Sequence, residues 1–358
     1  MSKRGESPVS FTISMMILIF FVFAFKQSIL DANNIPSGSM IPTLKIGDYL
    51  FVNKMRYSLR VPFAEFFLGK PLELVRIDDP KRGDIITFIP KTDPDKHYVK
   101  RVTGLPGDRI RIRNIALCDM YRLYSLPTPD VQRAYSCEQG LRGPREPVVA
   151  MVEYRAHDTG PWLNYAPQEI SDTASRELLV DADNTVVLPP EANPSNNTYN
   201  RLPVVLTEKL DKGTHFIVET SNPPRVEGLC EDIETTGCVL NQDEYLAMGD
   251  NRDDSADSRI IGPISRASIL GKVAIIYFSI NWKDEICESY AGNFMNRPIE
   301  PNEGYQIPDF PPEKQRQKCS ILDGQAKMES VPGYLKRTIL YRLWRLDVRW
   351  RRIGNLLR

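Results

Sequence analysis

Apolar and polar positions along this chain follow three different rhythms. From Val9 to Phe25 the sequence is dominated by apolar residues and carries no charge; Lys3 and Arg4 precede it, and Lys26 and Asp31 follow. Seventeen residues sit at the short limit for a helix that crosses a bilayer. A cleavable targeting segment is the rival reading, but Ala24-Phe25-Lys26 offers no small-x-small site at the end of the run. The pattern predicts a transmembrane signal anchor over 9–25, with residues 1–8 in the cytoplasm and everything after Lys26 across the membrane.

Beyond the anchor, short strand patterns dominate. Arg109 to Ile115 alternates, with Ile110 and Ile112 on one face and Arg111 and Arg113 on the other. Leu105-Pro106-Gly107-Asp108 just before it is a turn signal. Further strands are expected near 46–55, 84–89, 215–220, 238–248 and 269–280. The fold class this implies is mostly β: an antiparallel β domain formed by 34–115 and 238–282. Residues 116–237, rich in Pro, Asn, Asp and Ser, read as an inserted loop-rich lobe, and 283–332 as a linker. The third rhythm lies at the end. Leu335, Ile339, Leu343, Leu346, Trp350, Ile353 and Leu357 recur at steps of three and four beside Arg342, Arg345, Arg349 and Arg352. That stripe predicts a basic amphipathic helix over 333–358, suited either to membrane lipid or to packing on the domain or on a partner.

Composition narrows the picture further. The 358 residues are 42% hydrophobic, which excludes a polytopic membrane protein, and 46 basic residues balance 46 acidic ones, so bulk charge points to no nucleic acid partner. Six cysteines at 118, 137, 230, 238, 287 and 319 form no CxxC pair, and no histidine sits at ligand spacing, so a metal site is not expected. An extracytoplasmic domain would permit disulfides. Cys230 with Cys238 is the most economical local bridge, because Thr235-Thr236-Gly237 can turn between them; buried free thiols are the simpler expectation for the other four.

Three separated segments carry the candidate chemistry. Ser39 lies in Pro36-Ser37-Gly38-Ser39-Met40-Ile41-Pro42-Thr43, where glycine allows tight geometry and the prolines stiffen both sides. Lys100 lies in the strand-like Tyr98-Val99-Lys100-Arg101, sharing a face with Tyr98 and Val102, while Arg101 should point to the opposite, solvated face. Gly249-Asp250-Asn251-Arg252-Asp253-Asp254-Ser255 is a polar loop able to hold the lysine. A serine nucleophile with a lysine base needs no histidine, but the lysine must lose its charge; burial lowers its pKa by disfavouring the ammonium. Taken singly, each segment is a simple turn, a surface strand or a loop.

Taken together they resemble type I signal peptidase, the membrane-bound Ser/Lys endopeptidase of protein export, over about 34–111 and 239–280. Ser-Gly-Ser-Met-x-Pro-Thr-Leu, Arg-Gly-Asp-Ile, Tyr-Val-Lys-Arg-Val-x-Gly-Leu-Pro-Gly-Asp and Gly-Asp-Asn-Arg-Asp-x-Ser-x-Asp-Ser-Arg occur in family order. The resemblance implies Ser39 as nucleophile and Lys100 as general base, with Ser37 and the Ser39 amide forming the oxyanion hole. It implies Ser255 orienting the lysine, Asp257 and Arg259 as a supporting ion pair, and Ile35, Pro36, Met40, Leu44, Tyr98 and Val99 lining the substrate pockets. It further implies a bacterial inner-membrane protein that cuts signal peptides of secreted preproteins after Ala-x-Ala, through an acyl-enzyme, with no cofactor and no metal. Asp254 departs from the Asn usual there. A carboxylate facing Lys100 would raise its pKa, so Asp254 is expected to point into solvent. A Ser/His/Asp hydrolase using His97, His157 or His215 lacks a Gly-x-Ser-x-Gly elbow. SOS-response repressors share the Ser/Lys chemistry but carry a DNA-binding helix-turn-helix and no anchor. A non-cutting membrane-tethered binder would have no need of Ser39, Lys100 and Ser255 together.

Overall fold

The structure is a computed structural model that describes residues 8–62, 64, 72–124, 148–156, 160–165, 168–169, 178, 185–188, 204–211, 213–219, 226–282, 295–298 and 346–357. Helix α1 runs from Pro8 to Ser28, and Val9, Phe11, Ile17, Leu18 and Val22 stand exposed along it. The side chains at 21 and 23–27 lie outside the described residues, and among the described residues no helix is long and apolar enough to cross a membrane.

The main sheet has eight antiparallel strands. In chain order these are β1 (Leu30–Asn34), β2 (Asp48–Asn53), β3 (Ile85–Phe88) and β4 (Tyr98–Gly104). After them, β5 (Arg109–Ala116), β6 (Val148–Arg155), β7 (Val204–Leu210), β8 (Gly213–Glu219) and β9 (Cys238–Val239) lie outside this sheet. It resumes with β10 (Glu244–Met248), β11 (Ile264–Ser265), β12 (Ile269–Trp282) and β13 (Leu346–Val348). Strand order is β1-β2-β12-β3-β4-β10-β11, with β13 pairing beside β12. The run expected as one strand over 238–248 is split between β9 and β10, because the Glu244 amide closes a turn on the Asn241 carbonyl and Glu244 also takes the Asn241 side chain.

The alternation in β5 holds: Ile110 and Ile112 are buried, while Arg111 and Arg113 stay half-buried and pair with Glu153. Strand β5 pairs with both β6 and β9, so one sheet joins residues on the two sides of position 116. Ile110, Ile112, Ala150, Val152, Tyr165 and Leu210 share an apolar cluster with Leu246 and Met248 of the main sheet. The described part of 116–237 therefore packs directly on the catalytic core; it comprises helix α2 (Leu117–Tyr124), β6 and the hairpin β7–β8, with short strands elsewhere. Cys230 and Cys238 form a disulfide, as the turn between them allows. Cys118 is disulfide-bonded too, contrary to the free thiol expected, with its partner outside the described residues.

The tail corrects the expected amphipathic helix. Residues 333–345 lie outside the described residues, but 346–357 form β13 and a 3-10 turn (Trp350–Arg352), not an α-helix. The backbone of β12 takes them up: Ile280, Asn281 and Trp282 pair with Val348, Asp347 and Leu346, and the Leu357 amide reaches the Ala274 carbonyl. Hydrogen bonds to a long strand replace the i→i−4 bonds that spacing alone suggested. Arg349 and Arg352 of the basic stripe turn inward as well, Arg352 on the buried Asp48 carboxylate and the Thr43 carbonyl, and Arg349 on the carbonyls of Ile46 and Ile280; Arg342 and Arg345 lie outside the described residues.

Candidate active site

Ser39 sits in the connection from β1 to β2. Its ends are tied by the Ile35 amide on the Asp48 carbonyl and the Gly47 amide on the Ile35 carbonyl. Buried Met40, Ile41 and Leu44 pin the middle, and the Ile41–Pro42 peptide is cis. Ser39 itself stays half-buried beside an exposed Ser37. Asn251 grips this segment from the facing loop: its amide donates to the Ser39 carbonyl at 3.1 Å and its side chain to the Gly38 carbonyl at 3.2 Å.

Lys100 lies on the central strand β4, opposite Ile86 of β3, and is 4% exposed. Its Nζ donates to Ser39 Oγ at 2.7 Å. Burial lowers its pKa from the ordinary 10.5 to about 8, against the carboxylates of Asp257, Asp250 and Asp254, which raise it; Arg259 assists the lowering. Loss of hydration thus outweighs three anions, which leaves about a tenth of the amine neutral at pH 7.

Asp257 and Arg259 form a bidentate pair, at 2.9 and 2.8 Å, fully buried at the start of the short helix α3 (Ser258–Ile261). Asp257 also accepts from the Gly249 amide at 2.9 Å. Its pKa falls although burial opposes this, because Arg259 and the Gly249 amide favour the anion. Ser255 is buried nearby, but its hydroxyl has no hydrogen-bond partner among the described residues, so no bond links it to Lys100. A Cβ on Gly249 would stand 2.2 Å from Ser255 Oγ and 2.5 Å from the Ser39 carbonyl oxygen, so only glycine fits between them.

Of the expected pocket residues, Ile35, Met40 and Leu44 share one cluster, with Val99 packed against it. Tyr98 belongs to the neighbouring cluster, next to Phe88, with its ring centroid 5.5 Å from Lys100 Nζ. Met40 and Leu44 are wholly buried, whereas Pro36 is exposed.

Two expectations are corrected here. Arg101 does not face solvent: it is 3% exposed and holds Asp250 through two hydrogen bonds of 2.8 and 2.7 Å, while Thr43 donates to the same carboxylate. A guanidinium in a dry interior needs an anion, and Asp250 supplies it. Asp254 is half-buried and acts on Lys100, so it is not withdrawn into solvent. Sequence reasoning placed Thr43, Asp250, Asn251 and Arg252 in the candidate segments without giving each its own role, put Arg101 on a solvated face, and overlooked Glu208. A charge within an apolar strand and a run of six polar residues after Gly249 were the available signals.

Comparison with known proteins identifies the family. The family model described as signal peptidase, peptidase S26, matches residues 9–123 and 193–278. A signal peptidase I of Pseudomonas aeruginosa is 38% identical over 296 residues, covering 79% of this chain and 77% of that protein. One from Buchnera aphidicola of Acyrthosiphon pisum is 26% identical over 272 residues, covering 75% and 74%. A solved signal peptidase I from Enterococcus faecalis is 19% identical and covers 55% of this chain and 97% of that one, but at a TM-score of 0.22 the likeness carries no argument. The chain belongs to the signal peptidase family, peptidase S26, and is a serine endopeptidase.

Proposed function

We propose that this chain removes signal peptides from exported preproteins with a Ser39/Lys100 dyad, cutting after small residues in an Ala-x-Ala pattern. The observation that carries the reading is a buried amine 2.7 Å from a half-buried serine hydroxyl. Neutral Lys100 accepts the Ser39 proton as Oγ attacks the scissile carbonyl. The Ser39 amide, which donates to no backbone carbonyl among the described residues, and the Ser37 hydroxyl are the donors for the developing oxyanion. Such a donor contributes roughly 3–4 kcal/mol. Lys100 then gives its proton to the leaving amine, releasing the mature protein and leaving the signal peptide acylated on Ser39. The same amine next takes a proton from water, and hydroxide attack frees the peptide and restores the serine.

The substrate binds extended along a strand edge, with small side chains over the apolar floor of Ile35, Met40 and Leu44. In this reading residues 9–25 anchor the protein in the bacterial cytoplasmic membrane, and the catalytic domain lies on the extracytoplasmic side, in contact with membrane lipid. The disulfide at Cys230–Cys238 suits that oxidising compartment.

The test uses the full chain in detergent with a precursor bearing an Ala-x-Ala site, and mass spectrometry reads the new N-terminus. Ser39→Ala, Lys100→Ala and Lys100→Arg should each lose turnover while remaining folded, since arginine keeps its proton at every working pH. Turnover retained in any of the three rejects the dyad, and a cut elsewhere rejects the specificity.

A further inference from the structure

Apart from the dyad, the site's buried charges concentrate where the hairpin β7–β8 meets the loop after Gly249. Glu208 of β7 is 2% exposed and Arg252 is fully buried. Arg252 Nη1 donates to Glu208 Oε1 at 2.7 Å, its Nη2 donates to the other carboxylate oxygen, and its Nε donates to the Gly249 carbonyl at 3.2 Å. The backbones join too: the Val218 amide reaches the Asp250 carbonyl at 2.8 Å, and the Arg252 amide reaches the Val218 carbonyl at 2.9 Å. Val205 and Val218 also pack against Ile41, two residues beyond Ser39. One hairpin from within 116–237 therefore grips both halves of the site, the serine segment and the loop whose Asp250 and Asp257 act on Lys100.

We propose that Glu208 is a positioning residue for the proteolytic reaction: through Arg252 it clamps the loop from Gly249 to Ser255 against the serine segment, in the register that keeps Lys100 facing Ser39. The proposal rests on the Ser39/Lys100 reading. A bidentate pair fixes orientation as well as distance. Without the Glu208 charge, Arg252 is left buried beside the Asp250 carboxylate, and beside Glu219, whose carboxyl burial pushes well above the ordinary range and so toward its neutral form. Glu219 is fully buried, and its Oε2 has no hydrogen-bond partner among the described residues. A guanidinium drawn toward Asp250 pulls on Gly249 through its Nε bond. Gly249 is the position where an added Cβ would meet both Ser255 Oγ and the Ser39 carbonyl oxygen.

The experiment compares full-length wild type, Glu208→Gln, Glu208→Asp and the exposed neighbour Lys209→Ala on one precursor, well below their melting temperatures. Ser39→Ala is run alongside. A misplacement of about 1 Å costs roughly a hundredfold in rate. Glu208→Gln should therefore lose tenfold or more in kcat, with KM within about threefold. Glu208→Asp should regain part of the loss, and Lys209→Ala should match wild type. The clamp is overturned if Glu208→Gln keeps wild-type kcat and loses only melting temperature, or if its rate loss equals the loss of folded protein by near-UV circular dichroism. If Glu208→Gln does not fold, Val205→Ala tests the same clamp from the serine side, and an unchanged kcat overturns it. Activity in Ser39→Ala sinks the dyad instead, so the two failures stay distinct.

Discussion

Replacing Lys100 with methionine should destroy activity and stabilise the protein at once. Burial holds the Lys100 pKa at about 8 against an ordinary 10.5. At pH 7 both folded and unfolded chains carry the proton, so folding works against the whole difference, on the order of 3 kcal/mol. Methionine fills similar space and carries no charge. It forfeits the bond from Nζ to Ser39 Oγ, about 1 kcal/mol. The net gain is about 2 kcal/mol, or roughly 4–8 °C in Tm for a folded unit of this size. The pH dependence is the sharper signature. Because the folded pKa lies below the unfolded one, the unfolded chain binds more protons between pH 8 and 10.5, and wild-type stability rises through that window. The methionine variant should lead at pH 7, lose its lead as pH climbs from 8, and fall slightly behind above 10.5. Thermal unfolding by circular dichroism at pH 7, 9 and 11, beside turnover of a precursor, reads both effects. A variant no more stable than wild type at pH 7, or a lead undiminished at pH 11, refutes the claim that Lys100 is held dry at a cost.

The same titration should appear in the kinetics: kcat/KM of the wild type rises close to tenfold per pH unit below about 8 and levels off above, and a limb near 10 would contradict it. Gly249→Ala forces a Cβ within 2.5 Å of the Ser39 carbonyl oxygen, so kcat should fall by at least tenfold while far-UV circular dichroism stays unchanged. Asp257→Asn strands the buried Arg259 guanidinium and should cost about 3–5 kcal/mol in denaturant melts, with turnover falling in parallel. Substituting Cys230 and Cys238 together by serine opens a short loop and should lower stability by about 2–3 kcal/mol, read as a drop in Tm measured without reductant.

Much of the site was legible because its chemistry is local. Tyr98-Val99-Lys100-Arg101 puts a lysine in a strand, and Pro36 to Thr43 presents a serine on a tight segment; both follow from residue type and order. The strands near 48–53, 85–88 and 109–116 were legible for a similar reason, since alternation and short apolar runs report which face is buried. Arg101 was misread because strand period fixes a side but not what covers it: the opposite face of β4 meets Asp250 and Thr43, not water. The tail was misread because a three-four spacing is compatible with helix, yet an available edge on β12 offers its backbone better partners. Asp254 failed on the same ground, since one residue's solvent exposure depends on elements far away in the chain.

By itself, the sequence determined the chemical parts of this protein and the strands that carry them: a charge-free span at 9–25, a serine, a lysine and an acidic loop in fixed order. Tertiary structure alone decided the proton state of Lys100, the partners of Arg101 and Arg352, and the grip of β7–β8 on the loop after Gly249. The physical reason is that composition and period are properties of neighbours in the chain. Desolvation and ion pairing sum over neighbours in space, which here are brought from positions as distant as 39, 100, 208, 252 and 352.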